Sequence, residues 1–99
     1  MIYSFSQVVA AAGTRVALAA TARPASWARV KAIKTSGGAN TGNIYVGGVD
    51  VSATVGYPLT PGQDVTLEPC QGFTYIDLAT VYIDAGTSAD EVKVIYGRR

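Results

Sequence analysis

Ninety-nine residues with no histidine, one cysteine and a net charge of +1 exclude several protein classes at once. The chain lacks the commonest general base and metal ligand, cannot form an intrachain disulfide, and has no strongly basic stripe for a nucleic-acid backbone. Only 15% of residues are charged and 48% are apolar, against roughly 25% charged in an average globular protein, which points to a surface that self-associates or docks on something larger.

Surface scaling predicts that one domain spanning residues 1–99 buries about 64% of its unfolded surface, enough for a modest core without staples. No apolar run approaches the length of about 18 residues that a membrane-spanning helix needs. The stretch before Arg15 has no basic n-region, and Ser4, Ser6 and Gln7 interrupt its apolar run, so no signal peptide is expected. The cysteine usage suits a reducing cytoplasm.

In chain order, Ile2 to Val9 is aromatic and β-branched and predicts a first strand, closed by Ala10 to Gly13. Thr14 to Ala20 alternates, with Val16 and Leu18 on one face, and is read as a second strand despite its alanines. Pro24 ends that segment and extends Arg23. Ser26 to Thr35 fits two templates. As a helix it would stripe Trp27, Val30 and Ile33; as a strand it faces Ala28, Val30 and Ala32 to one side and Trp27, Arg29, Lys31 and Ile33 to the other. The β-rich surroundings and the missing capping-box acid favour the strand. That choice puts Trp27, Arg29, Lys31 and Ile33 on one face as a candidate contact surface, the alternative being an indole folded into the subunit.

Ser36 to Gly42 is a glycine-rich loop. Ile44 to Val46 predicts a strand, Gly47-Gly48 a hairpin turn with positive φ, and Val49 to Val55 a strand of period two. Gly56 to Leu59 reads as a connection. Pro61-Gly62 suits the centre of a type II turn, followed by a strand with Val65 and Leu67 inward. Between Phe73 and Asp84 the apolar parity changes, from Ile76 and Leu78 to Val81 and Ile83. One flat strand cannot do this with a single buried face, so a turn or bulge is expected at Asp77 to Ala79 and a new strand from Thr80. Val92, Val94 and Tyr96 mark the last strand, before the basic Arg98-Arg99. About seven or eight short antiparallel strands between turn signals predict an all-β fold, a β-sandwich or jelly-roll-like barrel.

Residues suited to chemistry are present only singly. Cys70 has no imidazole to activate it. Asp77 and Asp84 flank a strand as a glycosidase pair would, with no third feature beside them. Asp84, Asp90 and Glu91 surround a glycine-containing loop, but their spacing is not that of an EF-hand. The glycines after Ser36 precede no Gly-Lys-Ser/Thr. No catalytic residue, metal or cofactor is expected.

Asn40-Thr41-Gly42-Asn43-Ile44-Tyr45-Val46-Gly47, then Pro58-Leu59-Thr60-Pro61-Gly62-Gln63, then Asp77-Leu78-Ala79-Thr80-Val81-Tyr82-Ile83-Asp84-Ala85, resemble in order the small virion proteins of tailed bacteriophages. The resemblance covers about half the chain, with Ser26-Trp27 a weaker match upstream. It implies a non-enzymatic structural protein, a capsid decoration (cement) protein on the capsid exterior. Such a protein bridges capsid subunits, has the major capsid protein as partner and self-associates as a dimer or trimer, without nucleic acid or membrane. It would be made in the bacterial host cytoplasm. The alternatives are a fibre, spike or tail module that binds a host glycan or receptor, and a sugar-binding domain unrelated to phage. The first 25 residues fall outside the resemblance, as an arm toward the shell or as part of the core.

Overall fold

A computed structural model describes residues 2–33, 40–52, 54–69 and 71–98. Met1, Lys34, Thr35, Ala53, Cys70, Arg99 and the Ser36 to Ala39 part of the glycine loop lie outside them. In chain order the strands are Ile2–Val8 (β1), Val16–Ala17 (β2), Pro24–Ala25 (β3), Trp27–Lys31 (β4), Ile44–Gly47 (β5), Tyr57–Leu59 (β6), Asp64–Leu67 (β7), Ile76–Asp77 (β8), Tyr82–Ala85 (β9) and Glu91–Gly97 (β10), with a 3₁₀ turn over Leu78–Thr80. They form one sheet in the order β1-β10-β4-β7, a second in the order β2-β9-β5-β6, and a ribbon of β3 and β8. Every one of these pairings is antiparallel. The fold is all-β and fits a small β-sandwich.

Period-two alternation builds the core. Ala28 and Val30 of β4, with Ala32 just beyond it, and Val92, Val94 and Tyr96 of β10 point inward from the first sheet. Ile44, Val46, Leu59, Ile83 and Ala85 come from the second, and Leu18 and Leu78 complete the same cluster. Each buried valine, leucine or isoleucine among them contributes about 1.5–3 kcal/mol by leaving water. At the β1 side the core is sealed by rings: Tyr3 stacks on Tyr96 with centroids 5.1 Å apart, and Phe5 meets Tyr96 edge-on at 5.8 Å. The Arg23 guanidinium lies 4.8 Å over the Phe5 ring.

The first 25 residues are part of this body. β1 pairs with β10 along its whole length, and Val9, Leu18, Ala19 and Ala25 are buried. The Thr14 to Ala20 strand is shorter than expected: Val16 and Ala17 pair with β9, and Leu18 follows with its N–H on the Val81 carbonyl at 2.7 Å. Ser26 to Thr35 is a strand over Trp27–Lys31, and its buried face is the expected one.

Two sequence expectations fail between β5 and β6. These strands pair directly, Ile44 with Leu59 and Val46 with Tyr57, and the described residues between them, 48–52 and 54–56, form a loop where a strand from Val49 to Val55 was expected. The Val51 N–H closes a turn on the Gly48 carbonyl, and Ser52 and Val55 exchange backbone hydrogen bonds of 2.6 and 3.2 Å. Ser52 Oγ also accepts from the N–H groups of Thr54 and Val55, the local bonding by which serine competes with a strand ladder. Gly47-Gly48 is no hairpin turn either, since neither glycine has positive φ. Gly47 belongs to the ladder, opposite Tyr82. Tyr57–Leu59 is a strand where a connection was expected, and Pro58 is tolerated because β6 is an edge.

The remaining punctuation is as the residues dictate. The Gln63 N–H reaches the Thr60 carbonyl at 2.9 Å across Pro61-Gly62, with Gly62 at φ 90°. The parity change falls on the 3₁₀ turn, whose N-cap is Asp77. Its Oδ1 accepts the N–H of Arg23 at 2.9 Å and of Ala79 at 3.0 Å. These two bonds, Arg23 first, hold the Asp77 carboxyl below the usual carboxylate range.

Asn40, Thr41 and Gly42 are fastened to the start of β10. Asn40 donates to the Glu91 carbonyl at 2.8 Å and accepts the Glu91 N–H at 3.1 Å. The buried Asp90 carboxylate accepts the N–H of Thr41 on one oxygen and of Gly42 on the other, at 3.0 and 2.8 Å. Buried Asp84 likewise accepts from Gly13 and Ala85. Both carboxylates therefore fasten loops.

Candidate docking face

The strand that buries Ala28 and Val30 must turn Trp27, Arg29 and Lys31 to the opposite side, and the register shows what joins them there. Ser4 of β1, Ile95 of β10, Arg29 of β4 and Thr66 of β7 stand in one row across the sheet. Ser6, Lys93, Lys31 and Asp64 form a second, and Ile2, Gly97 and Trp27 a third. The outer face of the first sheet thus carries three cations on adjacent strands among exposed apolar side chains.

Trp27 is held down by its partner. The indole covers Gly97 so closely that a Cβ there would lie 2.7 Å from Cε2 and 3.0 Å from Cζ2. It remains 37% exposed, as part of a surface with Ile95 at 40% and Ile2 at 66%. A recess beside the indole is walled by Glu68, Pro69, Phe73 and Thr74. Phe73 itself is 72% exposed, which extends the apolar surface past the strand end.

Charge is unevenly distributed on this face. Arg29 Nε lies 3.7 Å from Asp64 Oδ2, an exposed pair that contributes at most about 1 kcal/mol. Lys31 stands directly opposite Lys93 across β4 and β10. Like charges placed so are mildly unfavourable in the free sheet. Asp64 of β7 stands opposite Lys31 on its other side and offsets part of this repulsion; an anionic group on a partner would relieve the rest. Between these side chains runs a shallow groove that includes Ser4, Ser6, Arg29, Lys31, Lys93 and Ile95.

Of the four residues singled out from the sequence, the fold brings Trp27, Arg29 and Lys31 together. Ile33 lies past the end of β4, where its N–H turns back to the Lys31 carbonyl, and is half-buried. Lys93, Ile95 and Ile2 join the face unannounced. The alternation of Lys93 and Ile95 with Val92, Val94 and Tyr96 was readable, but which strand lies beside β4 was not.

No protein-family model, no curated protein and no solved structure matches the chain.

Proposed function

We propose that this chain is a structural virion protein of a tailed bacteriophage, a decoration (cement) protein that binds the outer surface of the head. Its partner is the major capsid protein, and the outer face of the β1-β10-β4-β7 sheet makes the contact. The observation that carries the reading is the composition of that face: Trp27 seated on Gly97, flanked by Arg29, Lys31 and Lys93 on adjacent strands. Aromatics and arginine are enriched at the centre of protein contacts. A broad sheet face suits a flat macromolecular partner better than a small ligand, which needs a concave site that encloses it. The cations favour an acidic rim on the partner.

The order of motifs between Asn40 and Ala85 supports the phage assignment, and the sparse charge supports a module that self-associates and bridges capsid subunits. Counting copies in purified particles by quantitative mass spectrometry tests the reading. Hundreds of copies per particle are expected. A dozen or fewer would instead indicate a spike, fibre or tail module that binds a host surface, and absence from the particle would end the virion reading.

A further inference from the structure

The sheet edges differ in how they are protected. On β7 the outward positions are Asp64 and Thr66, with Glu68 next in line, so carboxylates guard that edge. β6 carries Pro58 and β2 has two residues. β1 is seven residues long, Ile-Tyr-Ser-Phe-Ser-Gln-Val, without charge or proline. Charged side chains, prolines and short length are the usual means of keeping an edge from pairing.

The backbone direction of β1 follows from its end. The Val9 N–H donates to the Asp90 carbonyl and the Val9 carbonyl accepts from Ala89, so the polar groups of Val9 face the β10 side. By period two, those of Tyr3, Phe5 and Gln7 face β10 as well, and those of Ile2, Ser4, Ser6 and Val8 face outward. Among these outward groups the Val8 N–H is taken by Gln7 Oε1 at 3.1 Å. Ser4 and Ser6 have no outward backbone partner among the described residues.

We infer that β1 is a self-pairing edge: two copies of this chain join antiparallel along it, about a twofold axis near Phe5. The strand is its own complement. In that register Ile2 of one copy meets Val8 of the other, and Ser4 meets Ser6, with no charge opposed to charge. Ile2 and Val8 are 66% and 43% exposed in the single chain and would cover each other. The two four-stranded sheets become one of eight strands, and the two Trp27 faces become one continuous surface. A twofold edge pairing closes on itself, so the product is a dimer and not a trimer. The inference rests on the self-associating module proposed above but not on what that module binds.

The test measures mass in solution by light scattering for the full chain and for Ser4→Pro. Proline at position 4 deletes an outward N–H and leaves the bonds to β10 in place, as edge strands tolerate. Twice the chain mass is expected for the wild type, and the single chain mass for the variant, with an unchanged circular dichroism spectrum. A second measurement covers a variant that fails to fold: hydrogen exchange of the wild type at low and high concentration. The Ser4 and Ser6 amides should gain protection with concentration, while the Phe5 amide, already bonded to β10, should not change. A monomeric wild type, a trimer, a folded Ser4→Pro dimer, or exchange at Ser4 and Ser6 that ignores concentration would overturn the inference. So would protection of those amides only on mixing with phage heads, which would make a capsid strand the occupant. A monomer that still binds heads would overturn the edge inference alone and leave the docking face standing.

Discussion

Trp27 and Gly97 are partners across β4 and β10, and the indole of one lies where any side chain on the other would be. The glycine is therefore part of the docking face: it lets the ring lie flat on the sheet. Trp27 is the chain's one tryptophan, so its fluorescence reports on this contact alone. Gly97→Ala should shift the emission to the red and raise quenching by acrylamide, at a cost of about 1–3 kcal/mol from overpacking. An unchanged spectrum in a folded variant would separate the two residues.

Asp90 ties the start of the Asn40 to Gly47 motif to β10. Asp90→Ala leaves the Thr41 and Gly42 N–H groups without their acceptor. Thr41 is exposed and Gly42 half-buried, so their amides can turn to water. Hydrogen bonds to a charged group contribute about 1.5–3 kcal/mol, and chemical denaturation should register a loss of about that size. Chelator treatment should leave the wild-type melting temperature unchanged; a drop of several degrees would mean that a cation, and not the backbone, holds this loop.

Asp77 links β3 to the 3₁₀ turn, and its carboxyl titrates below the ordinary value of 3.8 in the folded protein. The unfolded chain therefore binds the proton first. The contribution of Asp77 is fully present above pH 3.8 and is lost as the pH falls through the lower, folded-state value. Melting curves should show a steeper acid-side decline for the wild type than for Asp77→Asn. Parallel acid-side profiles would contradict the assignment.

The glycines now divide differently from the sequence expectation. Gly62, at φ 90°, has no neighbour near its absent Cβ, so Gly62→Ala meets only backbone strain and should cost about 1 kcal/mol or more. Gly48 lacks positive φ, and the nearest atom to a Cβ there would be Asp50 Oδ1 at 3.6 Å. Gly48→Ala should stay within about 0.5 kcal/mol of the wild type. The reverse order in urea melts would restore the Gly47-Gly48 hairpin.

What the sequence made legible was local. The alternation of Ala28 and Val30 with Trp27, Arg29 and Lys31 is itself the geometry of β4, and the parity change near Asp77 can be satisfied only by a break in the strand. Val49 to Val55 shows where such reasoning stops. Its alternation is as clean as that of β4, yet the pairing of β5 with β6 leaves its described residues outside every ladder, and Ser52 gives their backbone a local alternative. The docking face was half legible for the same reason. One strand supplied Trp27, Arg29 and Lys31, but Lys93, Ile95 and Ile2 arrive through the order β1-β10-β4, which is a long-range fact.

The central claim is that Trp27 anchors the chain on a capsid. Its most direct test is equilibrium binding of wild type and Trp27→Ala to undecorated heads, with the fold of each monitored by circular dichroism. The variant should fold and bind more weakly by ~2 kcal/mol per site, roughly thirtyfold, if the indole is a hot spot. A Trp27→Ala chain that folds and binds as tightly as the wild type would contradict the claim, and one that fails to fold, with no separate loss of association, would return the indole to the core.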